Sequence, residues 1–319
     1  MTVPNDEPCL TIKGLIKDCG PVAGLDGKMI RVLAGVDFSA RRGAVTALLG
    51  ANGAGKTTTL ECAQGLQPIN GGEVLLLGQE PYGAGAQLRS RVGVMLQDGG
   101  LPPAARPVPL LHHIASMYAD PRPVDELVAR LGIGSFANTN IRRLSGGQKQ
   151  RLAMAAALIG RPEVLFLDEP SAGLDPQSRQ IVFDLITELR DDGLGIILTT
   201  HLMDDAQKLA DYVYIIDAGK TVASGTVAEL TAQTGELADQ RLLTFDAAPG
   251  LNLTGAGLPH LGARETAPGH YTLRGPITPA DIAALSSWWA RQDILPSALH
   301  MASRTLEDVF LDLSGRDIR

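Results

Sequence analysis

Ala44 to Leu49 is a short apolar run that ends in Gly50-Ala51-Asn52-Gly53-Ala54-Gly55-Lys56-Thr57, a fit to G-x-x-x-x-G-K-[ST]. A strand, a glycine-rich loop and a helix in that order constrain the chain more than any other feature. The glycines let successive N–H groups converge on one centre, and the start of the next helix adds a dipole that favours an anion. The segment therefore reads as a phosphate cradle. Lys56 is placed to reach the outer phosphates of a nucleotide, and the Thr57 hydroxyl to ligate Mg²⁺. The spacing predicts a helix from Lys56 to Gln64, closed by Gly65.

A second constellation lies downstream. Val164-Leu165-Phe166-Leu167-Asp168-Glu169-Pro170 is an apolar strand ending in two acids. An Asp at the end of a strand beside the cradle's strand can hold Mg²⁺, and a carboxylate one residue on can polarise an attacking water. Alone, such a pair is more often a loop start or a helix cap. Upstream stands Leu144-Ser145-Gly146-Gly147-Gln148, where Ser145 is a good N-cap. Two glycines beside that cap expose bare N–H groups and make a second anion site. One nucleotide does not need both sites in one subunit. The arrangement makes sense if Ser145 and Gly147 close over the phosphate held by another copy.

With these residues the sequence resembles the nucleotide-binding subunit of ATP-binding cassette (ABC) transporters. The motifs run in family order: GANGAGKTT (Gly50 to Thr58), a glutamine after a strand (Gln97), LSGGQ (Leu144 to Gln148), LFLDEP (Leu165 to Pro170), SAGLD (Ser171 to Asp175) and a histidine after a strand (His201). The likeness covers residues 8 to 232. It implies ATP and Mg²⁺ as cofactors and these residue roles. Gly50, Asn52, Gly53, Ala54, Gly55, Lys56, Thr57 and Thr58 form the nucleotide loop. Thr57, Gln97 and Asp168 ligate the metal. Glu169 is the general base, His201 contacts the γ-phosphate, and Lys56 and Gln97 complete the catalytic set. Ser145, Gly146, Gly147, Gln148 and Asp175 serve the nucleotide of a second subunit. The resemblance also implies a head-to-tail dimer, of two copies or with a related ATPase subunit, and separate integral membrane permease subunits as partners.

Two segments depart from the family or extend it. Its usual adenine-stacking aromatic is replaced by Cys19, and no Tyr, Phe or Trp occurs before Phe38. Near the C-terminus, Thr305-Leu306-Glu307-Asp308-Val309-Phe310-Leu311 reads as an N-cap followed by a helix with Leu306, Val309, Phe310 and Leu313 on an apolar face. It also resembles a segment that ends ABC subunits of bacterial drug, antibiotic and lipid-type exporters.

Length and composition set the frame. At about 150 residues per domain, 319 residues suggest two domains. A formal charge of −7 disfavours a protein that coats nucleic acid, and three cysteines without a CxxC pair disfavour a disulfide or zinc framework. No apolar run approaches a membrane span, so the expected location is the cytoplasmic face of the membrane, peripheral, through a partner. Strands alternating with helices predict an α/β fold: a P-loop NTPase core with a mostly parallel sheet, an N-terminal antiparallel β part and an inserted helical subdomain at about 98–160. Further elements are read as strands at 31–38, 72–78 and 91–97, and helices at 124–131, 145–159 and 177–190. The pattern Leu110, Leu111, Ile114, Met117 gives another helix. The stretch from Val227 to Asp239 reads as helical, with a break at Gly235, and the domain boundary is placed near residue 232 within it. Residues 233–319 read as a small α+β accessory domain with a Gly- and Pro-rich stretch at 249–268 and a helix around Ile282 to Trp289. The resemblance implies an ATPase subunit of an exporter. The rivals are a soluble ABC-type ATPase acting on ribosomes or nucleic acid, and a regulatory ATP sensor with little turnover.

Overall fold

The computed structural model describes residues 8–20, 29–95, 100–232, 240–302 and 305–314. It contains two compact units, Met1–Val227 with Leu313–Arg319, and Ala228–Asp312.

The first unit opens with two long strands, β1 (Pro8–Cys19) and β2 (Ile30–Arg41), followed by β3 (Val45–Leu49) and helix α1 (Lys56–Ala63). β4 (Gly71–Leu76), α2 (Ala86–Arg89) and β5 (Val92–Met95) come next. Gln97, at the end of the expected 91–97 strand, lies outside the described residues. Three helices follow: α3 (Pro107–Ala115), α4 (Val124–Arg130) and α5 (Gly146–Leu158). Strands and helices then alternate through β6 (Val164–Asp168), α6 (Pro176–Asp191), β7 (Gly195–Thr200), α7 (Met203–Leu209), β8 (Tyr212–Asp217) and β9 (Lys220–Gly225), and α8 (Val227–Thr231) begins at the last residue before the second unit. Of the helix read from Val227 toward Asp239, only α8 lies within the described residues.

The central sheet has the order β5-β6-β7-β3-β8-β9, with β9 alone antiparallel. Every residue of β3, β6 and β7 is buried. That is why these segments read as continuous apolar runs rather than alternating ones: a parallel sheet is covered on both faces. A separate antiparallel sheet, β2-β1-β4, supplies Leu10, Ile12, Leu15 and Phe38 to a core shared with Leu48, Phe166 and Ile197 of the central sheet and Leu60 and Ala63 of α1. Each fully buried Leu, Ile or Phe there stabilises the fold by about 1.5–3 kcal/mol. The strand of the acid pair, β6, does not lie beside β3 as the sequence suggested, because β7 runs between them.

Helix α3 packs on both α4 and α5. Arg151 of α5 donates to the Leu131 carbonyl at 3.0 Å and lies over the Phe136 ring. Met117 fits the α3 period but falls beyond its end and is 66% exposed, so it does not join that core.

The second unit is an antiparallel sheet of order β11-β12-β10-β13, made of β10 (Gln240–Asp246), β11 (Gly262–Ala267), β12 (His270–Pro276) and β13 (Ser297–Ala302). Helix α9 (Pro279–Arg291) starts with a Thr278–Asp281 capping box and buries Leu285, Trp288 and Trp289 against Phe245, Tyr271 and Leu273. Trp289 meets the Phe245 ring edge-on at 4.9 Å. Helix α10 (Leu306–Ser314) has the expected Thr305–Asp308 capping box. Leu306, Val309 and Phe310 are buried as expected, whereas Leu313 is 46% exposed.

Candidate functional site

The site lies where the parallel strands end. Leu49 of β3 is level with Thr200 of β7, and Thr199 with Asp168 of β6, so the loops after all three strands open at one height. In α/β sheets that edge is where ligands bind. Between these loops is a cavity of about 290 Å³. Its walls include Asn52, Gly53, Gly55, Lys56, Thr57 and Thr58 on one side and Asp168, Glu169 and His201 on the other. Val32 of β2 also faces it, a residue that nothing in the sequence singled out.

The loop's shape demands its glycines at two places. A Cβ at Gly50 would lie 2.5 Å from the Ile216 carbonyl oxygen on β8, so the chain must pass there without a side chain. Gly55 adopts φ 105 and caps α1 with no side-chain bond, leaving the first amides of that helix aimed at the cavity. Ala54 is buried, and its carbonyl accepts from the Gly219 amide at 3.1 Å, which fixes the loop from behind. Lys56 is 8% exposed and folds its Nζ back onto the Gly50 and Ala51 carbonyls at 2.8 and 3.2 Å. Burial lowers its pKa, while the Glu169 and Asp168 carboxylates oppose that shift.

On the facing side, the Thr199 hydroxyl donates to Asp168 Oδ1 at 2.5 Å, orienting a carboxylate that is itself 8% exposed. Glu169 adopts φ 52, a left-handed conformation that strains an L-residue by about 1–3 kcal/mol. It is held by its amide on the Thr199 carbonyl at 3.1 Å and by its carbonyl, which accepts from Gln150 Nε2 at 3.2 Å. The side chain is buried, and its Oε2 lies 2.5 Å from His201 Nδ1 with no aligned hydrogen-bond donor on it. A strained, desolvated carboxylate beside an imidazole, facing a phosphate-sized cavity, is suited to taking a proton from water.

Gln97 lies outside the described residues, and the remaining expected residues are not part of this cavity's lining. Ser145 N-caps α5 and closes a reciprocal capping box with Gln148 at 3.0 and 3.3 Å. Gly146 and Gly147 form the first turn of α5, and a Cβ on Gly147 would come within 3.0 Å of Leu174. Asp175 caps α6 by accepting from the Ser178 amide at 3.0 Å, and the Ser178 hydrogen bonds lower its pKa. One turn into α5, Gln150 Nε2 also reaches the Ala172 carbonyl at 2.8 Å. Thr199 and Gln150, which hold Asp168 and the Glu169 backbone, are site contacts that the sequence reading missed.

A nucleotide-triphosphate-binding P-loop fold is thus defined by the sheet order, the cradle and the acid pair. The ABC transporter family model matches residues 33–172. The chain is 34% identical over 321 residues to the daunorubicin resistance ATP-binding protein DrrA3 of Streptomyces coeruleorubidus, covering 98% of both proteins. It is 33% identical over 319 residues to the Nod factor export ATP-binding protein I of Ralstonia nicotianae, covering 98% of this chain and 95% of that one. A solved ATP-binding subunit of an ABC transporter superposes with a TM-score of 0.62 at 26% identity, over 70% of this chain and 91% of that one. The chain belongs to the ABC transporter family. Within it, this is the ATP-binding type of subunit, an ATPase that powers transport.

Proposed function

We propose that this subunit drives an exporter of drug-, antibiotic- or lipid-like molecules through a separate membrane permease. The observation that carries the hydrolytic part is the pairing of Glu169 with His201 across one cavity from Lys56. Export is favoured because the daunorubicin-resistance and Nod-factor-export relatives match both units of the chain, not the first alone. Residues 233–319 are read as an accessory domain of that exporter.

The cavity suits a triphosphate. The Lys56 ammonium is buried with only carbonyl hydrogen-bond partners, so phosphate oxygens are its natural acceptors. The loop amides from Gly53 to Thr58 bind and orient the phosphates. Mg²⁺ fits the hard oxygen donors Thr57 and Asp168, with Gln97 assigned as a further ligand, and it would neutralise phosphate charge. Glu169 polarises the water and holds its proton, and His201 steadies Glu169 and contacts the γ-phosphate. Ser145, Gly146, Gly147 and Gln148, being off this cavity, serve the nucleotide of a second subunit in a head-to-tail dimer, with Asp175 linking the two sites. Among the described residues no helix is long and apolar enough to cross a membrane. A permease partner at the cytoplasmic face then supplies the path.

Two measurements test this. Glu169→Gln should lower ATP turnover by about 10²- to 10⁴-fold while nucleotide binding persists; unchanged turnover removes Glu169 as the base. Affinity purification from detergent-solubilised native membranes should recover a multi-span membrane protein in stoichiometric amount. Recovery only with ribosomes or nucleic-acid proteins would sink the exporter reading.

A further inference from the structure

Asp205 is a carboxylate that the scheme above does not use, and it is 2% exposed. It sits in the first turn of α7, the helix that begins two residues after His201. Its side chain accepts a hydrogen bond from the Ser171 hydroxyl and forms an ion pair with Arg179. Ser171 follows Glu169 by two residues and is 3% exposed. Arg179 belongs to α6, where it lies over the Phe183 ring. One buried carboxylate therefore ties together the loop after the base, the helix after that loop and the helix after the histidine.

Glu169 needs such a tie. A left-handed non-glycine residue persists only where its surroundings determine it. On its N-terminal side the amide is fixed to Thr199, and its carbonyl is fixed to Gln150. On its C-terminal side Ser171 is the next anchored side chain, and Asp205 is what it is anchored to. The same carboxylate fixes the start of α7 and hence the root of His201, whose Nδ1 is 2.5 Å from Glu169 Oε2.

We infer that Asp205 is a positioning residue for ATP hydrolysis: by clamping Ser171 to the start of α7 it holds Glu169 and His201 in register. The inference rests on Glu169 acting as the base. A misplacement near 1 Å at reacting groups lowers rates by about 10²-fold, so the clamp should show in turnover rather than in ATP affinity.

The test uses the full chain with Ser171→Ala, Ser171→Thr, Asp205→Asn and the double variant, beside Glu169→Gln. Ser171→Ala removes one hydroxyl and leaves the Asp205–Arg179 pair intact, so it decides the matter even where Asp205→Asn does not fold. We expect Ser171→Ala to lower kcat about 10- to 100-fold with KM for ATP within about threefold, and Ser171→Thr, which keeps the hydroxyl, to recover turnover. The double variant should be no slower than the slower single, because both substitutions act on the same Ser171–Asp205 contact. A folded Ser171→Ala with wild-type kcat overturns the inference, as does a loss of kcat that Ser171→Thr does not recover. If Glu169→Gln turns over normally, the base assignment falls first. If Glu169→Gln is inactive while Ser171→Ala is normal, only the clamp falls.

Discussion

Replacing Gly50 with Ala tests the close approach of the phosphate loop to β8. The new Cβ would lie 2.5 Å from the Ile216 carbonyl oxygen and 3.1 Å from both Ala54 Cβ and Ile216 Cγ1. Ordinary contact begins near 3.4 Å, so the loop must rise by about 0.9 Å. β8 cannot yield instead, because it is paired to β3 from Thr46 to Leu49. Overpacking of this kind is destabilising by about 1–3 kcal/mol. For a unit of this size each kcal/mol lowers Tm by about 2–4 °C. The displaced Gly50 carbonyl also releases Lys56 Nζ from its 2.8 Å contact, and a shift approaching 1 Å at a positioning group lowers rate by about 10²-fold. Gly53→Ala is the comparison: no protein atom lies within 4 Å of its Cβ, so its φ of 81 and its place on the cavity wall, not overpacking, oppose the change. Steady-state ATPase and thermal melts of both variants are the assay. If Gly50→Ala kept wild-type Tm and turnover within about threefold, the argued contact with β8 would be wrong.

Three other perturbations follow from contacts described by the structure. Glu163 bridges Arg91 and Arg42, and the Arg91 hydrogen bond, reinforced by Arg42, pulls its carboxyl from the ordinary 4.5 to about 2. Its contribution to stability is complete above the unfolded value and lost as pH falls from 4.5 toward 2; the stability gap between wild type and Glu163→Gln, read by urea melts, should close over that window. Burial pushes the thiols of Cys9 and Cys62 up to about 11, whereas Cys19 is only half-buried; a thiol reagent at pH 8 should label Cys19 promptly, with all three reacting only after denaturation. Ser145→Ala breaks the capping box of α5, which should lower stability by about 1 kcal/mol in thermal or urea melts.

The sequence was most legible where backbone chemistry dictates residue type. The cradle from Gly50 to Thr57 and the run from Val164 to Glu169 could be placed on a loop and a strand because few alternatives tolerate those residues. The fully buried strands β3 and β6 were legible for the same reason. β11 was not, since Gly262–Ala267 is exposed at every position and carries no apolar alternation. β13 is likewise polar at Ser297 and His300. Chain order gave no sign that β7 intervenes between β3 and β6. Met117 and Leu313 fit a helical period but find nothing to bury against, since periodicity reports a face and not what covers it. In the site, Thr199 and Asp168 are 31 residues apart, and Ser171 and Asp205 are 34 apart. Such pairs leave no trace in local pattern and exist only once strands and helices are assembled.

Gln150 has a consequence of its own. Its amide grips the carbonyls of Glu169 and Ala172 from the second turn of α5, while the opposite end of the same short lever is the Ser145 cap. About 1.5 Å of rise per residue puts those two points less than 10 Å apart along a rigid helix. A load applied at the cap is therefore passed to the backbone of Glu169. Free-energy coupling has no preferred direction. A ligand seated at the start of α5 would bias the loop that carries Glu169, and a change at that loop would alter the grip on the ligand by an equal amount.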